Sequence, residues 1–254
     1  MCMLDLWRSI LIIPFICLYA MAMSTLALLL SLVDREGRWQ HWCARTWCRG
    51  VAAMAGVRIR VHGIEHLPAG QPCIYMANHQ SYVDIPAIFA ALPVQFRVMA
   101  KRSLFFVPFL GWFLWRAGYI PIDRRDARSA LTHINRAVKK IREGYSTLVF
   151  PEGTRSVDGA LLEFKSGGFK LALKAGVPIV PVTVRGACRV LRRGSLVFHP
   201  GEIELVIDPP LATENYTNRS LPELITATRA SIAAHLAEAS AAQFDLRDCA
   251  RVDS

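Results

Sequence analysis

From Ile10 to Val33 the chain carries no charged side chain, with Pro14, Ser24 and Thr25 as its main interruptions. At ~1.5 Å per residue, a helix of that length reaches across a hydrocarbon core ~30 Å thick. The segment must therefore lie in lipid or be covered by protein. A cleaved export signal fits poorly, because the basic region ahead of it is only Arg8 set against Asp5 and the apolar run is too long. A retained, membrane-anchoring helical segment is expected. Arg35, Arg38, Arg45 and Arg49 follow it, interleaved with Trp39, Trp42 and Trp47, a mixture suited to the headgroup layer. If the helix crosses, the positive charge places everything after it on the cytoplasmic side of the inner membrane. A helix that dips in and returns to the same side agrees with the sequence equally well.

The rest of the chain alternates strand-like and helical runs, which predicts an α/β fold: a mixed, largely parallel sheet flanked by helices. Residues 1–57 are expected to form the anchor and 58–254 one catalytic-type domain. Cys73–Ala77, Phe96–Ala100, Tyr119–Ile122 and Ser146–Phe150 read as strands. Asp126–Glu143 reads as a helix, with Ala127, Leu131, Ile134, Val138 and Ile141 as its apolar stripe. Glu163–Ala175 is a second helix, weakened by Gly167-Gly168. Val177–Val184 is strand-like, but Pro178 and Pro181 predict an edge or a bulge. Val197-Phe198 and Glu204–Ile207 suggest a hairpin. Ser220-Leu221-Pro222-Glu223 predicts a helix start. Leu104–Trp115 reads either as a buried core helix or as a lipid-facing patch or the wall of an acyl-chain tunnel.

A net charge of +10 with positive mean hydropathy points to an acidic partner at a membrane surface. No RNA-binding aromatic signature, zinc finger or Walker-type loop is present, so nucleic acid is not an expected partner. The cysteines number seven, an odd count without a C-x-x-C pair, which predicts no disulfide framework. His41, Cys43 and Cys48 make a poor metal set for lack of a fourth ligand at a usual spacing.

Chemistry concentrates where strands end. Asn78-His79-Gln80-Ser81-Tyr82-Val83-Asp84 follows one strand, and Pro151-Glu152-Gly153-Thr154-Arg155 another. Five helical steps would set His79 and Asp84 about 140° apart, so the two meet only if His79 is on the turn and Asp84 at the helix start. Asp84 could then fix the imidazole tautomer and leave the other nitrogen to take a proton from a hydroxyl. The plain structural reading makes Asp84 a helix cap and His79 a loop residue. No G-x-S-x-G elbow accompanies the pair, so the chemistry it suits is direct attack by a substrate hydroxyl on an activated acyl group. Lys101, Arg124 and Arg155 each follow a predicted strand and would share one rim, where guanidinium groups suit phosphate. Glu152 and Thr154 would hold substrate hydroxyls or buttress Arg155, and Gly153 would offer an amide to an oxygen.

Together these stretches resemble the four motifs of the glycerolipid acyltransferases. The first is Asn78 to Asp84, the second Gly118-Tyr119-Ile120-Pro121-Ile122-Asp123-Arg124, the third Phe150 to Arg155 and the fourth Val177 to Val182. Pro121 departs from the apolar residue usual in the second. The closest group is the bacterial 1-acyl-sn-glycerol-3-phosphate acyltransferases. The resemblance implies His79 as general base, Asp84 as its partner, and Arg124 and Arg155 on the acceptor's phosphate with Lys101 assisting. Glu152, Gly153 and Thr154 would complete the acceptor site. It further implies a lysophospholipid acceptor, acyl-CoA or acyl-carrier protein as donor, membrane lipids as surroundings, and neither metal nor cofactor. A lyso-ornithine lipid is the rival acceptor. A non-enzymatic lipid-binding protein and an esterase are the rival functions.

Overall fold

The computed structural model describes residues 3–34, 36–122, 130–156 and 159–241. It opens with two helices, α1 (Met3–Leu30) and α2 (Arg38–Ala55). Asp34 makes the turn between them. Its Oδ1 accepts from the amides of Glu36 and Gly37, and its Oδ2 from that of Trp39 at 2.7 Å, satisfying free donors at the start of α2. The helices run back to back. Arg8 donates to Met54 O, Trp47 Nε1 to Ile16 O and Tyr19 to Thr46 O.

The α/β part contains a seven-stranded sheet. Its strands are β1 (Val57–His62), β2 (Ile74–Ala77), β3 (Phe96–Lys101), β4 (Ile120–Ile122), β5 (Ser146–Val149), β6 (Ile179–Arg185) and β7 (Gly201–Ile207). Their order is β1-β7-β6-β2-β5-β3-β4, and every neighbouring pair is parallel except β6 with β7. The largely parallel sheet expected from the sequence is therefore present. On one face lie α2, α3 (Asp84–Ala91) and α4 (Leu110–Arg116). On the other lie α5 (Ala130–Arg142), α6 (Gly167–Ala175) and α8 (Leu221–Ala241), and the short α7 (Ala187–Val190) follows β6. β2 is central and buried on both faces, which is why it reads as an unbroken apolar run.

The α1–α2 hairpin shares this core, since Ala27, Cys43 and Cys48 belong to the same apolar cluster as Tyr75, Phe89 and Val98. α1 lies along the domain and is tied at both ends. Near its start, Asp5 meets His199 at 2.9 Å and Ser9 Oγ accepts from Phe198 N at 2.8 Å. Just past its end, Arg116 donates to the hydroxyl and carbonyl of Ser31. α1 is long and apolar enough to cross a bilayer, yet Trp7, Leu11, Phe15, Leu18 and Leu29 are exposed.

Several expectations change. β6 is an interior strand, not an edge. Pro181 is tolerated there because its missing N–H faces the gap beyond the end of β7, where the Pro181 carbonyl accepts from Asp208 N. Val197-Phe198 forms no hairpin, because β7 pairs with β1 and β6 instead. Gly167-Gly168 opens α6 rather than weakening it, since a methyl group at Gly168 would sit 2.9 Å from Val149 Cγ1. The Ser220 hydroxyl accepts from Thr217 N and does not cap α8. Leu104–Trp115 is broken at Pro108 and Phe109 into a 3-10 turn and α4, burying Phe105 and Phe113 while exposing Phe106, Trp112 and Trp115. Cys17, Cys43, Cys48 and Cys73 are free thiols. The first residues of the expected 126–143 helix lie outside the described residues.

Candidate active site

Asn78 fastens the carboxyl end of β2. Its Nδ2 donates to Val184 O at 2.9 Å and its Oδ1 accepts from Val184 N at 2.7 Å, pinning β2 to β6. The chain then turns at His79, whose ring stacks on Phe150 with centroids 4.1 Å apart. His79 Nδ1 lies 2.7 Å from Asp84 Oδ2. The same oxygen accepts from Gln80 N at 2.7 Å and Ser81 N at 2.8 Å. Two amides already donate to that oxygen, so it is an acceptor toward the ring as well. Nδ1 therefore carries the proton and Nε2 the free lone pair.

Asp84 is the first residue of α3 and fully buried. Its carboxylate reaches back over the turn to Gln80 and Ser81 instead of forward to cap its own helix. That removes the plain capping reading. The helix N-terminus adds a favourable positive end beside the carboxylate. Pro86 costs α3 no hydrogen bond, because first-turn amides have no partner within the helix.

The turn after β5 holds His79 from the other side. Glu152, only 2% exposed, accepts from His79 N at 2.6 Å through Oε1 and from Leu162 N at 3.0 Å through Oε2. Ser156 N donates to His79 O at 2.9 Å. Both backbone groups of His79 are thus set by the second motif-bearing turn. Burial raises the Glu152 pKa above the ordinary carboxylate value, against the pull of the two amides. Glu152 is therefore a strut of the His79 turn, both of its oxygens taken up by backbone amides, which replaces its expected place among the substrate contacts. Gly153 needs its left-handed φ of 69° for this turn, and its amide donates to Phe150 O at 3.0 Å, so it is not the free oxyanion donor expected.

The cations separate on inspection. The guanidinium carbon of Arg155 lies 3.4 Å above the ring centre of Tyr82, and Arg193 Nη1 donates to Arg155 O at 2.8 Å. Thr154 is exposed beside it. Lys101 does share the rim, because the registers Met76 to Val149 and Val98 to Leu148 bring β2, β5 and β3 to one level. It alternates with Ala100, a wall of the apolar cavity described below, and so leaves the sheet on the opposite face from that cavity. Arg124 lies outside the described residues. Lys165, which the sequence reading missed, lies over the Glu152-Gly153 turn, and a methyl group at Gly153 would sit 3.1 Å from its Nζ. Tyr82 was missed too. Its signal was an aromatic residue inside the His79-to-Asp84 turn; Lys165 offered no signal beyond its charge.

An apolar cavity of about 350 Å³ opens beside this turn. Met23 of α1, Trp47 of α2, Tyr82, Phe89 of α3, Leu110 and Phe113 line it, so anchor and domain build it jointly.

The model of a family described as Acyltransferase matches residues 58–185. A 1-acyl-sn-glycerol-3-phosphate acyltransferase of Chlamydomonas reinhardtii is 34% identical over 234 residues, covering 91% of this chain and 67% of the relative. A chloroplastic 1-acyl-sn-glycerol-3-phosphate acyltransferase of Brassica napus is 34% identical over 183 residues, 71% of this chain, and the matched part is 53% of that protein. The chain thus spans little more than half the length of such chloroplastic relatives. The crystal structure of the 1-acyl-sn-glycerophosphate acyltransferase of Thermotoga maritima shares the fold. Its TM-score is 0.79 at 24% identity, covering 92% of this chain and 96% of that one.

Proposed function

The chain belongs to the Acyltransferase family, and we propose that it transfers a fatty acyl group from acyl-CoA or acyl-carrier protein to the sn-2 hydroxyl of lysophosphatidic acid, forming phosphatidic acid. The observation that carries this reading is the buried His79–Asp84 pair on a turn whose Tyr82 lines an apolar cavity, with the Arg155 guanidinium stacked over that Tyr82. Nε2 of His79 takes the hydroxyl proton as the hydroxyl oxygen attacks the thioester carbonyl. Asp84 stabilises the imidazolium that forms. The carbon–sulfur bond then breaks, and the thiolate leaves as a thiol with that proton. The acyl chain occupies the cavity, and the acceptor's phosphate meets Arg155. The reaction draws on the two substrates alone.

α1 rests on the membrane in this reading instead of crossing it. Its two ends are tied to one domain, and its exposed side is the apolar one, so it embeds in the interface of the cytoplasmic leaflet. The exposed Phe106, Trp112 and Trp115 enter the same layer. Relatives named for the 1-acyl-sn-glycerol-3-phosphate acceptor favour lysophosphatidic acid over lyso-ornithine lipid.

Purified protein in detergent, given labelled acyl-CoA or acyl-carrier protein and a panel of lyso-lipids, tests the proposal. Turnover on lysophosphatidic acid above all other acceptors is expected. Preferential acylation of lyso-ornithine lipid would overturn the acceptor assignment.

A further inference from the structure

Arg155 lies beside the catalytic turn without a carboxylate partner among the described residues, an unusual condition for a partly buried arginine. What holds it is a ring face. The guanidinium carbon stands 3.4 Å from the centre of the Tyr82 ring, well inside the range in which the negative face of an aromatic ring attracts a cation. Stacking of this kind uses the flat face of the guanidinium and none of its in-plane donors. Nη1 is buried and without a hydrogen-bond partner among the described residues. A carboxylate would have occupied those donors and offset the charge; the ring does neither. The backbone is braced as well, by Arg193 on the Arg155 carbonyl.

Tyr82 itself is 55% exposed, so its own packing does not explain its position. It is the residue of the His79-to-Asp84 turn that lines the apolar cavity. Its ring therefore stands between the space for the acyl chain and the cation.

We propose that Tyr82 is a positioning residue, an aromatic platform that turns the open Nε–Nη2 edge of the Arg155 guanidinium, away from the buried Nη1, toward the acceptor's phosphate. The proposal rests on the acyltransferase reading given above. A two-point grip on phosphate needs both donors of one guanidinium edge in a fixed plane. Tyr82 supplies that plane, while the neighbouring His79 works on the hydroxyl.

The test is a double-mutant cycle on the full chain in detergent, with Tyr82→Phe, Tyr82→Leu, Arg155→Lys and the Tyr82→Leu/Arg155→Lys pair. KM and kcat are read for the lyso-lipid that the wild-type protein acylates best. Tyr82→Leu is expected to raise the acceptor KM about tenfold while kcat stays within about threefold. Tyr82→Phe, which keeps the ring face, recovers a KM within about twofold of wild type. The double variant is no worse than the more severe single one. Additive effects in the cycle, an unchanged KM in Tyr82→Leu, or a Tyr82→Phe as impaired as Tyr82→Leu would each overturn the platform role. A change confined to acyl chain length would assign Tyr82 to the cavity alone and overturn it as well. Failure of the wild-type protein to use lysophosphatidic acid strikes the acceptor assignment instead, because the cycle is read on whichever acceptor is used.

Discussion

The backbone amide of His79 donates to the carboxylate of Glu152 at 2.6 Å, across 73 positions of sequence. Through this bond the turn after β5 sets the height of the imidazole on the turn after β2. Glu152→Gln breaks the arrangement, since an amide accepts from one of the two N–H groups and presents its own N–H to the other. The buried unsatisfied donor costs about 1–3 kcal/mol of stability. Thermal unfolding is expected to show that loss, and kcat to fall about 10- to 100-fold with the acceptor KM little changed, the opposite of a substrate-contact variant.

His79→Ala removes the base and is expected to lower acyl transfer by about 10²- to 10⁴-fold. Asp84→Asn is the sharper experiment. Asp84 Oδ1 has no partner among the described residues, so the substituted amide nitrogen can occupy that position while the oxygen keeps the donors at Oδ2. The fold should survive with a near-normal circular dichroism spectrum. Activity should still fall by about 10²-fold or more, because the negative charge facing the imidazolium is gone. Wild-type rates in either variant would sink the proton-transfer scheme.

Arg155→Ala is expected to raise the KM for lysophosphatidic acid by at least about tenfold, the loss of one charge-assisted two-point contact. An acceptor without phosphate should feel little of this. Equal losses on both acceptors would show that Arg155 serves the turn and not the phosphate.

Leu11 and Phe15 sit on the exposed side of α1. Leu11→Glu with Phe15→Glu removes about 1.5–3 kcal/mol of apolar burial per residue from a lipid-embedded helix. Flotation with anionic vesicles is expected to fall more than tenfold while the domain stays folded. Labels placed before α1 and in the turn near Asp34 should react from the same side of a sealed vesicle. Labelling from opposite sides would establish a crossing helix.

His235 of α8 meets Asp208 after β7 at 2.7 Å. Burial pulls its pKa down, but the hydrogen bond and charge of Asp208, with Glu238, outweigh it and the net shift is upward from 6.5. The folded state therefore favours the protonated ring. The stabilisation is complete below the unfolded value and disappears as pH rises through the raised one. The Tm gap between wild type and His235→Gln should be full below pH 6.5 and narrow as the pH rises above it. A gap independent of pH would remove the ion pair from the account.

The meeting of His79 and Asp84 was legible in sequence because it is local: a strand end, a histidine, and a carboxylate at the start of the next helix. Lys101 was legible in level but not in face, since it shares the strand ends yet leaves the sheet away from the cavity, and Arg124 of the same expected rim lies outside the described residues. Partners distant in sequence were not legible at all. The pairing of β7 with β1 and the interior place of β6 depend on contacts that no local pattern encodes. Glu152 looked like a substrate ligand because a carboxylate in a motif carries no mark of its burial. Gly168 looked like a helix weakener because its role, letting α6 approach Val149, exists only after packing.

The pocket between Met23 and Tyr82 has walls from two sources, the embedded hairpin and the domain behind it. If the hairpin is what embeds in the bilayer, loosening it would open the pocket as well as release the foothold. On the proposed reading, substitutions in α1 or α2 that reshape the pocket would alter acyl-chain preference and membrane residence together.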